Sequence, residues 1–419
     1  MWNVKKLKIL VFHPMQQHSY KTAEALMENN KLFAYCTSIY YNPKKILYKI
    51  LNVVLPKNER IKMISHSNKR LNNYVKTFCE MYGLLFLLLG RIDKTKDRRF
   101  YFKMQEVLST KMGKKVARYA IKNNVNIIIG YDTWSYGIIK ELRKHKSNIK
   151  VILDYSSLYS EAIISTIRED VRKNINSKDS YSRSFEKFSI KYINEFRYEK
   201  DNSDYFFSPS SVVDESLIEY GVKKDKIFRC VYGTYFNFQP YIKKTENVVI
   251  FTYIGRISYA KGCHYLLEAF SNLNRDDFIL QLVGDNTDNF KINNSKTIKY
   301  LGPKPHNEIP NILKGTDVFI IESLYDGFPL SALESFSFNI PVICTKKAGI
   351  KDFIIPGVNG YVINGSDVGE LIEIISNLLN NKTMISKMKK SVKKHCRELT
   401  WDNYNKNVSS AINSIMEDL

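Results

Sequence analysis

The sequence predicts an α/β protein made of two Rossmann-like, doubly wound units facing a central cleft, and three observations carry that prediction. The chain has 419 residues, too many for one ordinary hydrophobic core. Short apolar runs alternate with amphipathic helical stretches, first from Leu7 and again from Val248, which is the pattern of parallel sheets with crossover helices. Residues 317–345, DVFIIESLYDGFPLSALESFSFNIPVICT, read as strand, loop, helix and strand in immediate succession. We therefore place an N-terminal domain at 1–235, a C-terminal domain at 236–400, and a terminal helix at 401–419 expected to pack back on the first domain.

The elements follow in order. Leu7 to Phe12 is the first strand, HPMQQHSY its loop, Lys21 to Asn29 an amphipathic helix, and Leu32 to Tyr40 a second strand. This first loop has no G-x-G-x-x-G, which argues against a dinucleotide there. Residues 43–118 form a basic insertion expected to be mainly helical, with Leu71, Tyr74, Val75, Phe78, Tyr82, Leu85 and Leu89 on one helical face. Strands are expected at 126–130, 150–154, 205–208 and 226–232, helices at 135–145 and 185–200, and a linker at 233–246. The pattern then restarts: strand Val248–Ile254, loop GRISYAKG, helix Cys263–Leu273, strand Phe278–Val283, loop GDN. Strands at 298–301, 318–321, 341–344 and 360–363 and helices at 366–380, 383–398 and 401–417 complete it.

Composition is that of a globular protein, 44% apolar and 25% charged. The net charge of +22 is unusual, and residues 1–120 hold 24 Lys and Arg against 7 Asp and Glu. Such a basic end points to an anionic partner, a membrane surface or a nucleic acid; the sequence has no nucleic-acid recognition motif. From Met81 to Leu89 the chain is apolar nearly all round, between basic flanks. That segment is either a core helix or an interfacial one lying on anionic lipid. No run approaches the roughly 20 apolar residues of a bilayer span, and the basic lead into the first strand is not a signal peptide. The six cysteines and seven histidines are scattered without ligand spacing, so no metal site is expected. The expected location is cytoplasmic, peripheral at the inner face of the membrane.

The chemistry concentrates in the second half. Gly255, Arg256, Lys261 and Gly262 lie in the loop after its first strand, where two cations beside glycines suit a diphosphate. Gly284 and Asp285 follow the next strand, and Gly284 reads as a further position of close approach. In the loop of residues 322–330, Gly327 and the helix start at Pro329 favour an anion, while Asp326 and Glu334, eight apart, can accept hydrogen bonds from sugar hydroxyls. Loops that leave the carboxyl ends of parallel strands share one edge of the sheet. The alternative is a capped core helix with surface charges.

Together GRISYAKG, GDN, DGFPLSALESFSFNIPV and the following KKAGIKDFIIPGVNGYVI resemble the donor-binding half of retaining glycosyltransferases of the GT-B fold, family four, over about 150 residues. The resemblance implies a nucleotide diphosphate sugar as donor substrate and neither metal nor other cofactor. It implies Arg256 and Lys261 on the diphosphate, Asp326 near the transferred sugar, Glu334 on the ribose hydroxyls, and backbone contacts from Gly327, Phe328, Pro329 and Leu330. Asp326 stands where the family has Glu, and Ala348 where it has Gly. The first domain matches less well. VILDYSSLYSE lacks the histidine that many members carry, so Asp154, Ser156 or Ser157 is expected to line the cleft, with His13, Gln17 and His18 as further candidates. The function implied is transfer of a sugar to a saccharide acceptor, one that is lipid-linked or a surface polysaccharide precursor. The alternative is a catalytically silent module that binds nucleotide sugar or a partner enzyme.

Overall fold

The computed structural model describes residues 7–93, 99–178, 190–235 and 248–417. Parts of the expected 185–200 helix and 233–246 linker, with several basic residues between 94 and 98, lie outside them. Among the described residues the strands form two parallel sheets. The first has seven strands in the order β3-β2-β1-β4-β5-β6-β7: β1 Ile9–Phe12, β2 Leu32–Thr37, β3 Val75–Thr77, β4 Ile127–Tyr131, β5 Lys150–Asp154, β6 Tyr205–Ser208 and β7 Ile227–Arg229. The second has six in the order β10-β9-β8-β11-β12-β13: β8 Val249–Ile254, β9 Phe278–Val283, β10 Ile298–Gly302, β11 Val318–Ile321, β12 Val342–Thr345 and β13 Gly360–Ile363. The central strands β1, β4, β11 and β12 are buried along their whole length, as strands covered on both faces must be. Strand order reverses between β1 and β4 and between β8 and β11. These switch points are where open α/β sheets leave a crevice.

The insertion corrects one expectation. Leu71 to Leu89 do not share a helical face. α1 Ser19–Glu28 is followed by β2, then α2 Ile46–Val54, α3 Lys57–Ile64, strand β3, α4 Glu80–Ile92 and α5 Arg99–Lys122. β3 pairs in parallel with β2, Tyr35 opposite Val75 and Thr37 opposite Thr77. Two β-branched residues at an open sheet edge outweigh a helical period read across them, and Cys79 at φ 58° starts the helix afresh. The predicted face is thereby divided. Leu71, Tyr74 and Val75 pack on one side of the sheet; Phe78, Tyr82 and Leu89 pack on the other; Leu85 is exposed.

The remaining helices are α6 Tyr136–Lys144, α7 Ser160–Lys173, α8 Ile190–Asp201, α9 Ser211–Glu219, α10 Cys263–Ser271, α11 Ile309–Leu313, α12 Leu330–Phe336, α13 Val368–Asn380, α14 Lys382–His395 and α15 Trp401–Glu417. α15 returns to the first sheet and packs on α1. There the Thr22 hydroxyl bonds both Tyr131 and Tyr404 at 2.7 Å. The chain segments at 233–235 and 399–401 touch as they pass between the sheets. Thr234 N–H donates to Leu399 O at 2.9 Å, and Thr234 and Thr400 form a parallel bridge. Gly233 is required at this crossing, since a Cβ there would lie 2.1 Å from the Thr400 carbonyl carbon.

Candidate functional site

The site begins with the loop after β8. Gly262 has φ 65°, and a Cβ on it would lie 1.8 Å from Glu322 O. Only glycine lets the β8–α10 loop settle against the β11–α12 loop. Leu324 N–H then donates to Ala260 O at 3.2 Å, and Lys261 Nζ stands 2.5 Å from Asp326 Oδ2. Arg256 is exposed beside them, its carbonyl taken by the Tyr253 hydroxyl at 2.7 Å. Its guanidinium makes no ion pair among the described residues. Gly284 has φ 142°, and a Cβ there would meet Gly255 O at 1.8 Å, so one side of this glycine packs against the neighbouring turn. Asp285 is exposed and its carbonyl holds Ile257 N–H at 2.9 Å.

Residues 326–330 are clamped from both sides. Asp326 N–H donates to Lys347 O at 2.9 Å, and Asp326 O accepts Gly349 N–H at 2.9 Å. Gly327 O accepts the Ser210 hydroxyl at 2.6 Å. Phe328 is buried with its ring edge-on to Tyr232 at 5.7 Å. Pro329 is the N-cap of α12 instead of its first residue, and as proline it has no amide to offer. The amides of Gly327, Phe328 and Leu330 donate to no described residue. Three free donors beside Arg256 and Lys261 make this corner suited to an anion. Within α12, Glu334 faces a cavity of about 490 Å³ lined also by His306, Ile309, Leu330, Thr234 and Trp401. Burial raises the Glu334 carboxyl above its usual range, and His306 opposes that shift.

The first sheet closes on this corner from above. A Cβ on Gly327 would lie 2.3 Å from Ser156 O and 2.8 Å from Ser157 Cα, so these two serines sit on the seam. Ser156 donates through N–H and hydroxyl to Asp132 Oδ1, each at 3.3 Å. Asp154 and His18 are not open to the cleft. They pair at 2.8 Å with side chains 2% and 7% exposed, among Tyr131, Tyr232 and Tyr404. His13 is buried too. Its Nδ1 accepts Met15 N–H at 2.9 Å, and burial, then His18, drives its pKa down to about 3, so it is neutral at physiological pH. Gln17 is exposed with φ 44°. Among the described residues no three His, Cys, Asp or Glu side chains gather as a metal set.

The structure thus unites Arg256, Lys261, Asp326, Gly327, Ser156 and Ser157, and sets Glu334 in the adjoining cavity. Asp132 and His306 were not anticipated. Each follows the carboxyl end of a strand, β4 and β10, and that position was the signal available.

Residues 236–395 match the family model described as glycosyl transferases group 1. The match covers less than half of the chain. An uncharacterized glycosyltransferase of Methanocaldococcus jannaschii is 27% identical over 222 residues, 52% of this chain and 61% of its own length. The UDP-Gal:alpha-D-GlcNAc-diphosphoundecaprenol alpha-1,3-galactosyltransferase of Escherichia coli is 28% identical over 174 residues, 38% of this chain and 43% of its own length. The chain thus spans about half the length of these curated relatives. The apo lipopolysaccharide outer core galactosyltransferase WaaB superposes over 97% of this chain and 99% of its own, with TM-score 0.63 and 14% identity. At that identity the likeness shows the fold, and the fold is GT-B, with the matched residues 236–395 in its second half.

Proposed function

We propose that this protein is a retaining glycosyltransferase that moves a sugar from a nucleotide diphosphate sugar to a saccharide acceptor, without a metal. The observation that carries the reading is the meeting of the two loops at Lys261 and Asp326, 2.5 Å apart, beside three free amides. Arg256, Lys261 and those amides would hold the diphosphate and stabilise the charge it gains as the glycosidic bond breaks. A diphosphate competes with Asp326 for Lys261, and the carboxylate so released accepts hydroxyls of the transferred sugar. Glu334 accepts the ribose hydroxyls from within the cavity. In front-face attack the departing phosphate oxygen takes the acceptor proton, which requires no protein base and so agrees with a neutral, buried His13.

The acceptor belongs on the first-sheet side, against Ser156 and Asp132. A lipid-linked or surface polysaccharide precursor at the cytoplasmic face of a membrane is the class we favour, in keeping with the diphosphoundecaprenol-linked acceptor for which the Escherichia coli relative is named. A thermal-shift panel of UDP-, GDP- and ADP-sugars identifies the donor. With that donor, Arg256→Ala should lower turnover by about 100-fold or more; unchanged turnover would sink the assignment. Donor binding with neither transfer nor hydrolysis would identify a silent binding module instead.

A further inference from the structure

The insertion leaves two apolar stripes uncovered. On α2, Ile46, Ile50, Val53 and Val54 recur at i, i+4, i+7 and i+8, from 55% exposed at Ile50 to 85% at Val53. Tyr48 is the buried residue of that helix. On α4, Met81, Leu85, Leu88 and Ile92 form a second stripe, between 44% and 66% exposed, while Gly83 and Phe86 turn inward. The two helices are neighbours. Lys45 Nζ pairs with Glu80 at 3.0 Å, and the Tyr48 hydroxyl donates to the same carboxylate at 2.7 Å. α3 joins them through the ion pair of Arg91 with Glu59 and the bond from Arg60 to Asn52 O at 3.2 Å. Single exposed apolar residues are ordinary on a protein surface, but paired stripes of this extent mark a docking face.

Charge selects the occupant. Residues 43–93 hold ten Lys and Arg against three acids. Two of those acids, Glu59 and Glu80, are already paired with Arg91 and Lys45. Lys44, Lys49 and Lys57 are exposed around the α2 stripe, without an ion pair among the described residues. Apolar stripes rimmed by free cations suit a bilayer interface that carries anionic headgroups. Among the described residues no helix is long and apolar enough to cross a membrane, so the contact we envisage lies in the plane of the interface. The location is apt as well. A Cβ on Gly83 would lie 2.4 Å from Ser38 Oγ, and Ser38 N–H donates at 3.0 Å to Pro14 O, in the loop that carries His13 and Gln17. α4 therefore backs onto the rim of the cleft.

We propose that α2 and α4 form a platform that seats the protein on an anionic bilayer. What the platform would deliver to the cleft rests on the glycosyltransferase reading; the contact itself does not. Full-length protein should co-sediment with vesicles of phosphatidylcholine and phosphatidylglycerol in equal parts, little with phosphatidylcholine alone, and less as salt rises. Ile50→Asp with Val53→Asp should weaken binding roughly tenfold or more. Each of Lys44→Glu and Lys49→Glu should weaken it about fivefold. All four positions are exposed, so melting temperature and donor-induced thermal shift should be unchanged in the variants. Ile50→Ser with Val53→Ser provides a milder pair should the aspartates disturb folding. Equal binding to both vesicle types would overturn the proposal. So would binding that survives the apolar variants, or apolar variants that turn a dimer into a monomer while vesicle binding persists. Vesicle binding without any donor-induced shift would sink the glycosyltransferase reading and leave the platform standing.

Discussion

Glu322 is fully buried at the end of β11, with Oε1 on Ser366 N–H at 3.1 Å and Oε2 without a partner among the described residues. Burial first, then Glu370 and Asp367, raise its pKa to about 8, against the pull of the Ser366 amide. A carboxyl whose folded pKa lies above its unfolded value of about 4.3 holds its proton in the folded state over that interval. Stability therefore falls as pH rises from about 4.3 to 8. Glu322→Gln removes the slope, and should gain on the wild type by up to about 1.4 kcal/mol per pH unit within the window, reaching a plateau above it. Melting curves at pH 5, 7 and 9 measure this; parallel curves at all three would refute it. The side chains of the site were the part most open to sequence reading, because Arg256, Lys261, Asp326 and Glu334 carry charge in loops that the strand pattern sets on one edge. The glycines among them were harder. A glycine that admits a ligand and one that admits a neighbouring carbonyl look alike in sequence, and only the structure shows that Gly284 packs against Gly255 O. His13 and His18 were ambiguous for a similar reason, since burial depends on the tyrosines that the fold brings around them.

At the scale of elements, the loop contact at Gly262 is decisive for the site. Gly262→Ala sets an L side chain at φ 65° and a methyl group 1.8 Å from Glu322 O. The left-handed backbone alone should cost about 1–3 kcal/mol, and relief of the clash must move Lys261 away from Asp326. Lower melting temperature together with weaker donor binding is expected; a melting loss with donor affinity intact would separate the contact from the site. The sequence pattern located most strands, because strands buried on both faces are continuous apolar runs such as Ile127–Tyr131 and Val318–Ile321. It failed at β3, three residues long and only partly buried. Its existence depends on the open edge of β2, a partner some 40 residues earlier, and no local period encodes it.

At the scale of the whole molecule, α15 ties the end of the chain back to α1 in the first half. Tyr404, Val408, Ala411, Ile412 and Ile415 are buried, and Tyr404 completes the hydroxyl chain through Thr22 to Tyr131. A chain ending at Thr400 leaves α1 without that cover. It should melt at lower temperature and bind a hydrophobic dye before the main transition, and an unchanged melting curve would show α15 to be dispensable.

The two halves also touch at a seam where Gly327 meets Ser156, while the chain segments between them are joined through Thr234 and Thr400. Because the chain already joins the halves at two places, contacts across the seam form within one molecule and do not bear the full loss of translational and rotational freedom that separate bodies meet on association.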